Sequence, residues 1–248
     1  MKETRSIMGM HITVEIDDPW VNEKIFNQVF DYFIAVDKRF STYKETSEIM
    51  CINRGEISES SYSSEMREIF ELAEKTKKET QGYFNIRMSN QALDPSGIVK
   101  GWAIQNAAKL LLKKGFKDFY VDAGGDIQSH GLNAKKEEWT VGIRNPFKPE
   151  EIIKRIVPKG MGVATSGTYL RGQHIYNPHA PEKELHDIVS LTVIGPNILE
   201  ADRFATAAFA MGKEGIIFIE GLEGFEGYAI DSKGIATMTT GFESFTIK

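Results

Sequence analysis

Two oxygen-bearing side chains, Asp202 and Thr206, stand four residues apart in Glu200-Ala-Asp-Arg-Phe-Ala-Thr206. The apolar spacing around them predicts a helix over Leu199 to Met211. On a helix that interval puts both side chains on one face, one turn apart. A carboxylate and a hydroxyl are hard donors, suited to Mg2+ or Ca2+ and not to zinc. Two oxygens alone do not define a site. The same pair also fits a first-turn acid favoured by the helix dipole and a threonine at the edge of the core.

Three further segments hold residues that could do chemistry. Asp94-Pro-Ser-Gly-Ile-Val-Lys100-Gly101 combines glycines, which let backbone approach a ligand, with a lysine ahead of a helix, a setting that favours phosphate. It is not a P-loop, because the spacing differs and no Ser or Thr follows the lysine. A plain turn carrying a surface lysine is the competing reading. Asp122-Ala-Gly-Gly-Asp126, after a predicted strand, is either a ligand-wrapping loop or a tight turn. Ala164-Thr-Ser-Gly167, Tyr169, Arg171 and His174-Ile-Tyr-Asn-Pro178 bring a histidine able to act as a base near neutral pH. The chain has five histidines, and a histidine taken at random is more often structural. Ser166 lacks the Gly-x-Ser-x-Gly setting of a nucleophile elbow.

The elements that must position these residues follow from periodicity. Strands are predicted at 11–16, 116–121, 139–143, 162–165 and 188–194, with a terminal hairpin at 228–238. Helices are predicted at 22–37, from a Ser63 or Ser64 cap to about Thr80, at 102–114 and 199–211, with a short one at 215–221. The stretches Phe40–Tyr43 with Ser47-Glu48, and Gly82–Ser96, are expected to be loops. Strands and helices do not alternate regularly. The expected class is therefore α+β, in one domain over 1–248, and not a doubly wound parallel sheet.

Composition sets the outer limits. The 248 residues are 41% hydrophobic and 26% charged, enough for a sizeable core. A net charge of −5, with no local Lys/Arg cluster, argues against nucleic acid as a partner. The single cysteine, Cys51, forms no internal disulfide or thiolate metal site and is expected to be a buried structural thiol. No apolar run is long enough to span a membrane and no secretory signal is visible. A cytoplasmic location is expected for the sequence as it stands, and an extracytoplasmic one if the N-terminus has been trimmed.

Taken together and in order, the motifs resemble the ApbE-like family, the FAD:protein FMN transferases. The motifs are Met8-Gly9-Met10, Phe40-Ser-Thr-Tyr43, Ser47-Glu48, Gly82-Tyr-Phe84, Asp94–Gly101, Asp122–Asp126, Gly142-Ile-Arg-Asn-Pro146, Ala164–Gly167, His174–Pro178 and Ala201–Thr206. The resemblance runs over nearly the whole chain. It implies a T-fold-like α+β domain with mixed or antiparallel sheets and packed helices. It implies FAD held by Met8, Tyr43, Gly82, Tyr83, Phe84, Asp94, Lys100 and the His174-Ile175 segment. It further implies Mg2+ held by Asp202, Thr206 and the Gly97 carbonyl, and His174 is the candidate base for the acceptor hydroxyl. The implied reaction moves FMN from FAD to a Thr or Ser hydroxyl of an acceptor protein, releasing AMP. An FAD pyrophosphatase and a non-catalytic FAD-binding protein are the alternatives. The chain departs from the family pattern at Asn85, Ser96, Asn177 and Ala205. The last of these removes a possible second carboxylate beside Thr206.

Overall fold

A run of apolar residues at helical spacing, Phe26, Val29, Phe30, Phe33, Val36 and Phe40, gives helix α1 (Glu23–Phe40) one fully buried face. The computed structural model describes residues 1–167 and 175–247. Within them α1 is preceded by a hairpin of β1 (Lys2–Ile7) and β2 (Met10–Ile16). It is followed by α2 (Glu48–Asn53), α3 (Ser64–Glu79) and α4 (Ser96–Lys113). Then come β3 (Phe119–Ala123), β4 (Asp126–His130), β5 (Val141–Asn145), β6 (Lys148–Ile156), β7 (Gly162–Gly167) and β8 (Ile188–Gly195). The chain continues through α5 (Ile198–Ala210), α6 (Glu214–Glu220), β9 (Glu226–Asp231) and β10 (Ala236–Met238). The class is α+β, as expected.

Eight strands form one sheet in the order β1-β2-β3-β4-β7-β8-β9-β10. Every described pairing is antiparallel. The hairpin β5-β6 is a separate two-stranded sheet. The two faces of the large sheet serve two cores. Ile12, Val14, Phe119, Val121, Ala164, Leu191 and Val193 pack against the helices. Val163, Ile194, Tyr228 and Ile230 pack the other way, with Val141, Ile143 and Ile156 of the small hairpin. Cover on both faces explains why β8 is apolar almost throughout and does not alternate.

Helices α4 and α5 form the centre of the helical layer. Both are rich in small residues, and Gly101 marks the closest approach. A Cβ there would lie 2.6 Å from the Asp202 Cβ and 2.9 Å from the Ile198 carbonyl oxygen. Glycine is therefore required at 101 by the neighbour, not by its own backbone angles.

Several predicted boundaries shift. Helix α4 begins at Ser96, six residues before the predicted start. Gly97 and Gly101 lower helix propensity and read as a turn, but Pro95 stands at the N-cap and Asp94 Oδ1 accepts the Ser96 N–H at 2.9 Å. Strands β1, β4 and β6 and helix α2 were not predicted. β1 is a polar edge strand and β6 is largely exposed, so neither carries an apolar alternation. Cys51 is half-buried, not fully buried, with Arg54 Nη2 3.5 Å from its sulfur. Among the described residues no helix is long and apolar enough to cross a membrane.

Candidate functional site

The site is assembled where α4, α5 and two turns of the large sheet meet. Helix α5 starts at Asn197, whose side chain accepts the Glu200 N–H. Its first turn lies against β7 and β4, where Gln128 Oε1 accepts the Ile198 N–H at 2.9 Å. This anchoring points Asp202 at the first turns of α4. Asp202 Oδ2 accepts the Gly101 N–H at 2.7 Å, a backbone donor of α4. One turn further along α5, Thr206 Oγ1 lies 3.4 Å from the Gly97 carbonyl oxygen.

A second carboxylate arrives from the sheet. Ala123 and Asp126 pair across a two-residue turn, in which Gly124 and Gly125 have φ of +64° and +95°. That conformation needs glycine at both positions. Asp126 is 1% exposed and its Oδ1 accepts the Thr165 N–H at 3.0 Å. Its Oδ2 is fully buried and is ion-paired with the Lys100 ammonium, and among the described residues it has no further hydrogen-bond partner. Lys100 Nζ also lies 3.6 Å from Asp202 Oδ1. One cation thus serves two buried carboxylates. Burial pushes the Asp202 carboxyl up to about 7; Lys100 opposes this and the Asp126 carboxylate beside it reinforces it.

These groups floor an open cleft of about 1100 Å3, counting the solvent at its mouth. Its walls are Tyr83 to Ile86, Met88 and Asp94 on one side, and Ser166, Gly167, Ile175, Tyr176 and Pro178 on the other. Burial, with the Asp94 carboxylate nearby, pushes the Tyr176 phenol up.

Eight of the residues singled out from sequence come together here: Tyr83, Phe84, Asp94, Gly97, Lys100, Ile175, Asp202 and Thr206. Gly82 adjoins the wall without lining it. Met8 and Tyr43 do not line the cleft. Tyr43 is 94% exposed on the turn after α1, with its N–H donating to Ser41 Oγ. Met8 occupies the β1-β2 turn at φ +56°, a left-handed conformation that costs a methionine about 1–2 kcal/mol, and its side chain packs on the core. Lys100 is a helix residue already engaged by two carboxylates, not a loop lysine free to meet phosphate. His174 lies outside the described residues, as do Tyr169 and Arg171.

Asp126, Thr165 and Tyr176 stood in candidate segments without an assigned role, and the structure brings them into the site. Asp126 had a visible signal, an acid closing a glycine turn at a strand end. That signal could not say which helix the acid would face.

The donor set suits a hard divalent cation. Among the described residues no group of three His, Cys, Asp or Glu side chains surrounds one point. A metal here would rest on a mixed set of the Asp202 carboxylate, Thr206 Oγ1 and Gly97 O, with Asp126 adjacent. The 3.4 Å between Thr206 Oγ1 and Gly97 O is long for an O–H···O hydrogen bond. Neighbouring oxygens around an octahedral ion bound at about 2.1–2.4 Å stand about 3.0–3.4 Å apart, so the pair lies at the long end of that range. Two buried carboxylates beside one lysine, among the described residues, point the same way.

The sequence model of the ApbE family matches residues 8–91 and 86–229. The FAD:protein FMN transferase of Escherichia coli (strain K12) is 30% identical over 179 residues, covering 67% of this chain and 51% of its own length. The FAD:protein FMN transferase of Salmonella typhimurium is 30% identical over 167 residues, covering 62% and 48%. The chain spans about half the length of the curated relatives it matches. Among solved structures, the flavin transferase ApbE from Vibrio cholerae has a TM-score of 0.86 at 20% identity, covering 99% of this chain and 98% of that one. The ApbE protein from Thermotoga maritima has a TM-score of 0.88 at 19% identity, covering 100% and 99%. At these identities the two structures establish the fold.

Proposed function

The chain belongs to the ApbE family, and from that premise we propose that it transfers FMN from FAD to a Thr or Ser hydroxyl of an acceptor protein. The observation that carries the reading is the buried Lys100–Asp126–Asp202 cluster with Thr206 Oγ1 and Gly97 O at the floor of the cleft. A site that only held a flavin would gain nothing from two buried carboxylates sharing one lysine.

In this reaction the acceptor oxygen bonds to the FMN phosphorus, the bond from that phosphorus to the AMP-side oxygen breaks, and the hydroxyl proton passes to a base. His174 is proposed as that base. Gly97 O, the Asp202 carboxylate and Thr206 Oγ1 would hold a divalent cation, Mg2+ by the hardness of the donors, which supplies charge neutralisation at the pyrophosphate. Lys100 holds Asp126 and Asp202 in place and keeps their mutual repulsion in check. The Gly101 N–H holds Asp202 Oδ2 and leaves Oδ1 toward Lys100 Nζ, 3.6 Å away. Tyr83, Phe84 and Tyr176 offer flat surfaces to a flavin or adenine ring.

The test is to incubate the protein with FAD, Mg2+ and a flavin-acceptor domain, then weigh the acceptor. A mass gain of one FMN is expected, abolished by EDTA. An unmodified acceptor, with a known transferase as positive control, overturns the reading. Release of FMN and AMP without acceptor, at the rate seen with it, would identify a pyrophosphatase instead.

A further inference from the structure

The two walls of the cleft are far apart in sequence, and one side chain outside the cleft ties them together. The His179 ring meets Tyr83 edge-on, with centroids 4.6 Å apart and planes at 72°. His179 Nε2 lies 3.0 Å from the Gln81 carbonyl oxygen, 98 residues away in the chain. Gln81 and Gly82 both have left-handed backbone, φ +53° and +88°. A Cβ at Gly82 would stand 3.2 Å from His179 Cε1, so the imidazole closes over the bare backbone of this turn. On its own side the ring is aimed by a turn in which Asn177 Oδ1 accepts the His179 N–H at 2.9 Å and Asn177 O accepts the Ala180 N–H at 3.0 Å. The Tyr176 hydroxyl donates to the Arg87 carbonyl at 3.4 Å, a weaker tie across the same gap.

We propose that His179 is a positioning residue that clasps the Tyr83 wall to the 175–178 wall and so preforms the ligand cleft. Tyr83 and Pro178 line the cleft and His179 does not. It acts through the Tyr83 ring and the Gln81 carbonyl, sparing a ligand the ordering of two separate loops. The proposal rests on the reading of this cleft as the FAD site.

The test is His179→Ala, with His179→Phe keeping the ring contact and His179→Gln keeping a donor for the Gln81 carbonyl. In the alanine variant the FAD dissociation constant and KM are expected to rise about tenfold, the sum expected from an aromatic contact and a hydrogen bond. The catalytic constant and the melting temperature should change little. Each conservative variant should recover part of the loss. Hydrogen exchange of the ligand-free protein provides a second readout, in which amides 82–93 exchange faster in His179→Ala. Unchanged FAD affinity overturns the positioning role, even if exchange rises. Unchanged exchange overturns the clasp. If the unaltered protein binds no FAD with Mg2+ present, the FAD reading fails, while the exchange measurement still decides the clasp.

Discussion

Asp202 and Arg203 are neighbours on α5 and are almost equally buried, at 2% and 3% exposure, yet their surroundings are opposite. Arg203 is closed. Its guanidinium pairs with Glu79 of α3 and Glu200 of its own helix, donates to Thr76 Oγ1 at 3.2 Å, and lies 4.0 Å from the Phe204 ring centroid. Its partners keep 36% and 25% of their side-chain surface in solvent, so the excess acid is hydrated. Asp202 is open. It and Asp126 share one lysine, both are dry, and among the described residues Asp126 Oδ2 has no further hydrogen-bond partner. Each cluster has two acids and one base. What separates them is solvation: one is a clamp between helices and the other a dry cluster held in place at the bottom of a cleft. A dry cluster of this kind persists only where the rest of the fold supports it, which makes it a candidate functional site.

Five substitutions or titrations would break or sharpen this contrast. The largest effect is expected from Asp202→Asn, which keeps an acceptor for the Gly101 N–H. FMN transfer should fall by about 10²–10³-fold without loss of folded protein, checked by acceptor mass and circular dichroism. Arg203→Met should do the reverse. Breaking a buried ion pair costs about 3–5 kcal/mol. Because Glu79 and Glu200 reach solvent, about 2–3 kcal/mol is expected, a fall in Tm of roughly 5–10 °C, with FAD affinity retained below the transition. A variant that melts normally but no longer binds FAD would erase the distinction.

Mg2+ titration comes next. At about 100 times its dissociation constant it should add about 2.7 kcal/mol to stability in the unaltered protein and in Arg203→Met, but not in Asp202→Asn. Thr206→Val, a near-isosteric loss of one oxygen, should weaken Mg2+ by about tenfold, read from the same Tm series.

A last signal is in pH. The Asp202 carboxyl is raised from 3.8 to about 7, first by burial. An acid whose folded pKa is raised binds protons more tightly when folded. Its contribution is fully present below about pH 4 and is lost as pH rises through about 7. In EDTA, the Tm of the unaltered protein minus that of Asp202→Asn should therefore decline between pH 4 and 7. A flat difference would mean that the carboxyl is not held dry.

Much of the fold was legible. The heptad-like run in α1, the Ser63 cap of α3 and the terminal hairpin are local patterns, and the structure has them within a few residues. The polar edge strand β1 and the exposed β6 were not, because neither buries an alternating face. In the site, Asp202 and Thr206 were legible as one helical face. Lys100 was misread as a loop residue because two glycines hid the start of α4. The resemblance added Tyr43 and Met8, which do not line the cleft.

By itself the sequence determined which residues could share a helix face, which turns needed glycine, and, through ordered motifs, which family the chain belongs to. All of these are set by covalent geometry and interactions over a few residues. Only the tertiary structure decided that Asp126, 76 positions before Asp202, would face it across Lys100. It alone decided that water would be excluded from both acids, and that His179 would reach back to Gln81. Such pairings depend on how two helices and a sheet pack, and burial is a property of that packing, which no spacing along the chain encodes.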